Sequence, residues 1–176
     1  MSSTDTTNDR LAGTWNFAPV HSTAAFAVKY LVAQFKSNFE DFSAELVDGK
    51  LSGAVKVASI NVKDENFHAH LQAPDFFDAE NHPEITFSSS SIAIDGDTAT
   101  IEGELTIKGV TKPLSATGSV NGPTEDFMGN TRLGFTFETV IDRAAFGVDW
   151  NADLPKGGKA LSNDVTLSVE LEFHKG

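Results

Sequence analysis

Histidine and carboxylate side chains concentrate in one short stretch of this sequence. His68, His70 and His82 lie among five acidic residues, and imidazole and carboxylate groups are ligands that zinc and iron accept in proteins. The acidic residues are Asp64, Glu65, Asp75, Asp78 and Glu80. On a helix, residues two apart point about 200° away from each other, so His68 and His70 would share a metal only in an extended stretch. We therefore expect hydrogen-bonded or solvated histidines and no metal, and keep a metal-dependent enzyme using residues 68–82 as the alternative.

Other catalytic arrangements are missing from the sequence. The chain has no cysteine, which excludes a disulfide framework, a thiolate zinc site and a cysteine nucleophile. It contains neither a Gly-x-Ser-x-Gly nucleophile elbow nor a glycine-rich phosphate-binding loop. Isolated carboxylate pairs are weak evidence for hydrolysis in so acidic a chain. The sequence therefore predicts a protein that is not an enzyme and has no cofactor.

Charge and hydropathy limit the classes of partner. The chain has 13 Lys and Arg residues against 25 Asp and Glu residues, giving a formal charge of −12. An acidic surface repels nucleic-acid phosphates and anionic head groups, so neither nucleic-acid binding nor stable membrane insertion is expected. No apolar run approaches the roughly 20 residues that a membrane-spanning helix needs. The first ten residues lack the pattern of a secretory signal, which predicts a cytoplasmic location, or an extracytoplasmic one if a signal was removed.

The elements that must position any site are predominantly strands. Every second residue from Val165 to Phe173 is apolar and the residues between them are polar, so a strand here has one apolar face. The same alternation recurs within residues 101–107 and 133–141. Turn dipeptides such as Asp48-Gly49 separate the strands. This pattern predicts an all-β fold, an antiparallel sandwich or barrel.

One short helix interrupts the strands. Asp64 can cap its N-terminus, Phe67 and Leu71 are four residues apart, and Pro74 disfavours helical geometry at the residue before it. We therefore predict a helix within residues 64–73. A second stretch, from Phe35 to Phe42, has mixed spacing that fits either a short helix or an irregular strand.

The 176 residues fit one domain, which should bury roughly 70% of the surface of its extended chain. Residues 1–12 are predicted to be a disordered tail and residues 13–176 the domain. Pro113 is predicted at the start of a strand, and 121–123 and 128–130 are predicted to bracket a loop.

Several motifs, spread in order along the chain, resemble the YceI-like family. The resemblance covers about Gly13 to Phe173. Two positions depart from the common family pattern: Tyr30 stands where many members have histidine, and Asn38 where glycine is common. The motifs are Pro19-Val20-His21-Ser22, Phe26-x-Val28-Lys29, Ala69-His70-Leu71, Asp75-Phe76-Phe77-Asp78, Pro83-x-Ile85-Thr86-Phe87, Gly103-x-Leu105-Thr106-Ile107-x-Gly109-Val110-Thr111 and Asp142-Arg143-x-x-Phe146-Gly147-x-x-Trp150-Asn151.

The resemblance implies a single antiparallel lipocalin-like β-barrel of about eight strands with one or two short helices. Together with the alternation from Val165 to Phe173, it implies that the last strand closes this barrel against the first. It also implies an apolar tunnel that binds, stores or transports a long isoprenoid lipid, such as a polyprenol, a polyprenyl phosphate or an isoprenoid quinone. Members are regarded as binding proteins rather than enzymes and are often dimeric, so a homodimer is compatible with it. The candidate ligand-binding residues are His21, Phe26, Val28, Phe39, Phe42, Leu71, Phe76, Phe77, Phe87, Phe135, Phe137, Arg143, Phe146 and Trp150.

Alternation alone does not tell a hollow barrel from a filled one. Fourteen phenylalanines can form an ordinary core, and eight-stranded barrels are near the size at which interiors become hollow. Gly53 and Gly103, beside large side chains, could leave a channel. Arg143 could bind a lipid diphosphate or a quinone oxygen, or could pin a turn through Asp142, Asp149 or backbone carbonyls. His21 could donate to a head group or lock the first turn, and a filled barrel serving in interaction or stress response is the other alternative.

Overall fold

The computed structural model describes residues 10–175, and strands dominate this part of the chain. The α-helix α1 is Glu65–Gln72. Three 3-10 segments cover Pro19–His21, Val57–Ser59 and Arg143–Phe146. The strands are β1 (Thr14–Phe17), β2 (Thr23–Tyr30), β3 (Ala33–Phe39), β4 (Phe42–Val47), β5 (Lys50–Lys56), β6 (Glu84–Asp95), β7 (Thr98–Ile107), β8 (Val110–Glu125), β9 (Thr131–Asp142) and β10 (Leu161–Lys175).

Eight of the strands close into an antiparallel barrel. The hydrogen-bonded order runs β1-β4-β5-β6-β7-β8-β9-β10, and β10 pairs back with β1. The remaining hairpin, β2 and β3, joins the other end of β10, with Val28 opposite Val165. The prediction of an all-β, lipocalin-like barrel of about eight strands with a short helix is confirmed.

The last strand has the role that its alternation and the family motifs together predict. β10 pairs with β9 along its length, with β2 over its first part and with β1 over its last residues. Phe173 is fully buried, opposite Phe17 of the first strand. The alternating apolar side chains of β10 therefore face the barrel interior, and the strand is the seam of closure.

Helix α1 covers a gap in the strand ladder. β3 has β2 as its only strand partner among the described residues, apart from one isolated bridge between Phe39 and Ile60. The Asp64 carboxylate caps the helix by accepting the Phe67 N–H at 3.0 Å. The Phe35 ring of β3 packs edge-to-face on the Phe67 ring of α1 at 5.6 Å. The predicted helix is confirmed, and it walls the barrel where no strand does.

One loop prediction and one strand-start prediction are wrong because β8 is longer than its sequence suggests. Residues 121–123 lie inside β8 as a bulge, where the pairing with β9 shifts between Asn121 and Thr124. Gly122 has a φ of +94°, which suits a bulge and which glycine adopts without strain. Pro113 is the fourth residue of β8, not the first, and pairs with Glu104. Because β9 pairs with β8 only from Thr117 onward, the missing N–H of Pro113 leaves no ladder bond unmade.

The remaining ambiguous segments have definite places. The stretch from Phe35 to Phe42 is the end of β3, a bend at Glu40 and Asp41 and the start of β4, rather than helix. Part of the predicted tail, residues 1–9, lies outside the described residues. Leu11 is fully buried and Arg10 donates to the Gly122 carbonyl at 2.9 Å, so the fold begins before Gly13.

One end of the barrel is filled with side chains. Phe135 and Phe173 pack there with Leu46, Leu133 and Val120, all nearly inaccessible to solvent. We call this the filled end. The described residues contain no helix that is both long enough and apolar enough to cross a membrane.

Candidate functional site

The barrel is hollow from its middle toward α1. Two adjoining cavities lie there, a deep chamber of about 200 Å³ next to the filled end and an outer chamber of about 430 Å³ beside α1. Both chambers are bordered by the same five side chains, which therefore form a waist between them. The waist residues are Phe26, Phe39, Ile85, Ile107 and Leu167.

Small side chains leave the space of the deep chamber. Ala24, Ala44, Gly53 and Ala116 line it from four different strands, β2, β4, β5 and β8. Phe137 and Leu171 line it on the side of the filled end. None of the described residues lining this chamber is charged, so an occupant meets hydrocarbon almost everywhere.

Gly103, in contrast, opens no channel. A Cβ atom at this position would lie 2.2 Å from the Ser88 carbonyl oxygen and 2.8 Å from the Phe87 ring. The glycine therefore permits close packing beside the β-bulge between Ser89 and Ser91. The expectation that Gly103 could help to hollow the barrel is wrong.

The outer chamber has its open side between α1 and the β2–β3 hairpin. Tyr30, at the end of β2, and Phe67, on α1, line the chamber and are 46% and 38% exposed. We call this side the rim. Phe76, Phe77 and Trp150 form apolar wall on the side of the segments that follow α1 and β9.

Arg143 is the buried cation of the outer chamber. The side chain is 5% exposed, and its guanidinium donates to the carbonyl oxygens of Ser162 at 2.8 Å, Val148 at 2.7 Å and Trp150 at 2.9 Å. Burial lowers the pKa of Arg143 from its ordinary value, while the negative charges of Asp149 and Asp142 oppose that change. These contacts support the interpretation in which Arg143 pins the chain through backbone carbonyls. The side chain of Arg143 still lines the wall of the outer chamber.

Most of the predicted ligand-binding residues line one or both chambers. Three do not. His21 is exposed in the first 3-10 segment, Phe135 stacks under Phe137 in the filled end at 5.5 Å, and Phe146 packs behind the outer chamber. The residues that do line the chambers are Phe26, Val28, Phe39, Phe42, Leu71, Phe76, Phe77, Phe87, Phe137, Arg143 and Trp150.

The histidines have separate surroundings. His68 makes a 2.9 Å hydrogen bond with the Ala58 carbonyl. The His70 ring packs edge-to-face on Phe76 at 5.0 Å and on Trp150 at 4.9 Å, supporting two rings of the outer chamber from behind. Residues 10–175 contain no group of three or more His, Cys, Asp or Glu side chains that could hold a metal.

Most of the small and aliphatic lining of the chambers is absent from the residues predicted to bind ligand, which include only Val28 and Leu71 of this kind. Ile85, Ile107 and Leu167 form most of the waist, whereas phenylalanines make up most of the predicted wall. The alternation on β10 already indicates that Leu167 faces inward. For Ala116 there is no comparable signal, because an alanine on a strand fits a wall, a core or a surface equally well.

Comparison with known protein families gives a match over almost the whole chain. The family model described as "YceI-like domain" matches residues 15–173. A protein of Staphylococcus epidermidis named as a UPF0312 protein is 31% identical over 169 residues, which cover 90% of this chain and 96% of that protein.

Solved structures have the same fold. The crystal structure of BcnA from Burkholderia cenocepacia superposes with a TM-score of 0.76 at 24% identity, covering 89% of this chain and 99% of that one. A domain from Saccharophagus degradans, described as a polyisoprenoid binding domain implicated in plant cell wall breakdown, superposes with a TM-score of 0.73 at 12% identity. That alignment covers 92% of this chain and 98% of the domain. At these identities the likeness concerns the fold.

Proposed function

The chain belongs to the YceI-like family, and from that premise we propose that it binds, stores or transports a long apolar isoprenoid lipid in its two chambers. A polyprenol, a polyprenyl phosphate or an isoprenoid quinone has the required chemistry. The polyisoprenoid binding domain of Saccharophagus degradans, which shares the fold, supports an isoprenoid as the class of ligand.

The observation that carries the proposal is a hydrocarbon-lined cavity that runs from the rim to the middle of the barrel. Its two chambers adjoin at the waist, so an elongated and flexible molecule fits them better than a compact one. Side-chain rings and branched aliphatic groups dominate both linings. The shape and the chemistry of the cavity both favour a chain-like apolar occupant.

Burial of the chain supplies enough free energy for binding. Each buried CH₂ group contributes about 0.8 kcal/mol, so a few isoprene units supply about 8 to 12 kcal/mol before the costs of ordering and association. No ion pair with the ligand is required. Simple addition over a very long chain would exceed the practical limit of affinity, so part of such a chain would remain outside the cavity or bind incompletely.

The polar groups favour one orientation of the ligand. Arg143, Tyr30 and Asp64 all line the outer chamber, whereas none of the described residues of the deep chamber is charged. We therefore place the head group in the outer chamber, near the rim, and the tail in the deep chamber. An anionic or carbonyl head group would also suit the positive charge of Arg143.

Sequestration is the proposed mechanism, with no chemical step. The lining that residues 10–175 provide offers no nucleophile paired with a base, and the histidines that could have served a metal-dependent reaction have separate surroundings. The chain would take up the lipid by excluding water from its tail and release it by the reverse process.

Native mass spectrometry with lipid extraction from the purified protein tests the proposal. We expect a copurifying isoprenoid, or uptake of an added long-chain isoprenoid at a ratio of one molecule per chain. Absence of both a copurifying lipid and binding of the added isoprenoid would refute it. Detection of fatty acids or phospholipids in place of isoprenoids would keep the cavity as a lipid site but overturn the ligand class.

A further inference from the structure

The tip of the β2–β3 hairpin exposes apolar side chains directly at the rim. Tyr30 lines the outer chamber, and the next two residues, Leu31 and Val32, are 46% and 99% exposed. Leu31 has a φ of +56°, and its N–H donates to the Ala160 carbonyl at 2.8 Å, which ties the tip to the loop before β10. The apolar wall of the cavity therefore continues outward onto an exposed tip.

The charge around this tip is opposite to that of the molecule as a whole. Residues 22–39 contain Lys29 and Lys36 and no Asp or Glu, although the chain carries a formal charge of −12. The adjoining loop, residues 147–160, contains two lysines and two aspartates, so its formal charge is zero. Lys29 and Lys36 have no carboxylate within salt-bridge distance anywhere in residues 10–175, whereas Lys159 of the loop pairs with Asp153.

Asp64 is the one acidic side chain among the described residues that line the outer chamber. Asp64, on the α1 side, accepts N–H donors from Asn66 and Phe67 in its capping role. Leu31 and Lys29 line one groove together with Lys159. Positive charge thus flanks the apolar tip on the side of the hairpin, where Lys29 and Lys36 lie.

We propose that the β2–β3 tip docks the barrel transiently on an anionic lipid bilayer. Leu31 and Val32 would enter the boundary between head groups and acyl chains while Lys29 and Lys36 contact anionic head groups. The inference rests on the proposed function, because an isoprenoid passing between a bilayer and the outer chamber would cross the rim beside this tip. The overall negative charge repels such a surface, so only this end of the barrel approaches it.

The opposite end of the barrel provides a matched control. Phe127 and Met128, in the loop between β8 and β9, are as exposed as the tip residues. Their neighbours Glu125 and Asp126 are acidic. This second apolar loop lies at the filled end, because β9 begins there beside the last residues of β10. It should not dock on an anionic bilayer.

Vesicle flotation of the full chain tests the proposal, with phosphatidylcholine vesicles that either contain or lack phosphatidylglycerol. We expect the wild-type protein to bind the anionic vesicles more tightly than the neutral ones. Leu31→Asn with Val32→Asp should weaken binding at least about tenfold, since two apolar side chains no longer enter the bilayer. Asn tolerates the positive φ at position 31, so the tip should keep its shape.

The charge contribution is separable. Lys29→Gln with Lys36→Gln should weaken binding on the order of twentyfold on anionic vesicles and change it little on neutral ones. Phe127→Asp with Met128→Asn should stay within about twofold of the wild type on both, because this loop lies at the opposite end of the barrel and does not face the bilayer on which the tip docks. Equal losses in the tip variant and in this control variant would overturn the proposal, as would equal binding of the wild type to both vesicles.

Two other outcomes also overturn it. In the first, the wild type binds neither vesicle, and its mass by size-exclusion chromatography with light scattering falls when Val32 is changed to Asp. That result would mean that the tip contacts a second copy of the chain. A tip variant that binds vesicles as the wild type does removes the tip from docking. Lipid content by native mass spectrometry separates docking from binding: a tip variant that still holds isoprenoid but does not float has lost docking alone.

Discussion

Filling the deep chamber should shorten the isoprenoid that the protein binds tightly. Ala116, on β8, lines this chamber and is largely buried, with open space in front of its side chain. Leucine at this position adds three carbons that would extend into the chamber. The outer chamber, the rim and Arg143 are untouched by this change.

The size of the effect follows from the volume lost to the ligand. The chamber holds about 200 Å³, and a leucine would displace about three carbons of the bound chain, each contributing about 0.8 kcal/mol. Affinity for a long chain should therefore fall by about 2 kcal/mol, or about thirtyfold. A short isoprenoid that ends in the outer chamber should bind the variant and the wild type equally well.

Competition against a fluorescent isoprenoid, with a series of chain lengths, measures this difference. Ala93→Leu is the matched control, because Ala93 is exposed on β6 and its pairing partner is Thr100 of β7. The same substitution outside the barrel should change no affinity. Chemical denaturation of both variants checks that Ala116→Leu folds and is at least as stable as the wild type, since it fills a cavity.

Two results would refute the reasoning. Unchanged affinity for long chains in Ala116→Leu would mean that the tail does not reach the deep chamber. An equal loss for short and long chains would mean that the substitution disturbs the whole cavity, and the chamber then has no role in the choice of chain length.

Three further predictions concern stability. Arg143→Met removes the donors to Ser162, Val148 and Trp150 and should lower the free energy of unfolding by about 3 kcal/mol in urea, with Arg143→Lys losing less. Arg132, with the Asn130 and Met128 N–H groups, lowers the pKa of Asp126 from 3.8 to about 2. The stability that ionised Asp126 provides is therefore present above about pH 4 and lost as the pH falls through 2. Asp126→Asn should flatten that part of an acid titration followed by circular dichroism. Asp64→Ala removes the cap of α1 and should cost about 1 kcal/mol in thermal denaturation, with faster ligand release in stopped-flow measurements, whereas Asp64→Asn should retain most of both.

The strongest sequence predictions depend on neighbouring residues. The alternation from Val165 to Phe173 indicates a strand with one buried face, and β10 has that face inside the barrel. Asp64 and Pro74 predict the two ends of a helix, and α1 begins directly after Asp64 and ends two residues before Pro74. In both cases the signal lies within about ten residues, where backbone geometry links side-chain spacing directly to structure.

Predictions that depend on distant segments were less accurate. The Asn121-Gly122-Pro123 stretch has the composition of a turn, but the β8–β9 ladder continues across it as a bulge. Leu11 lies in a polar stretch that resembles a tail, and the buried space it fills is formed by strands much further along the chain. Tertiary packing overrides local preference at both positions.

The sequence by itself determined the antiparallel strands, the short helix that ends before Pro74 and, through its motifs, the family. Only the tertiary structure decided that the barrel is filled at one end and hollow at the other. Whether a barrel is hollow depends on the summed volumes of side chains that meet from different strands, such as Ala24, Ala116 and Phe137. No spacing along the chain encodes that sum, because each of these residues alternates inward in the same way whether the interior is packed or open.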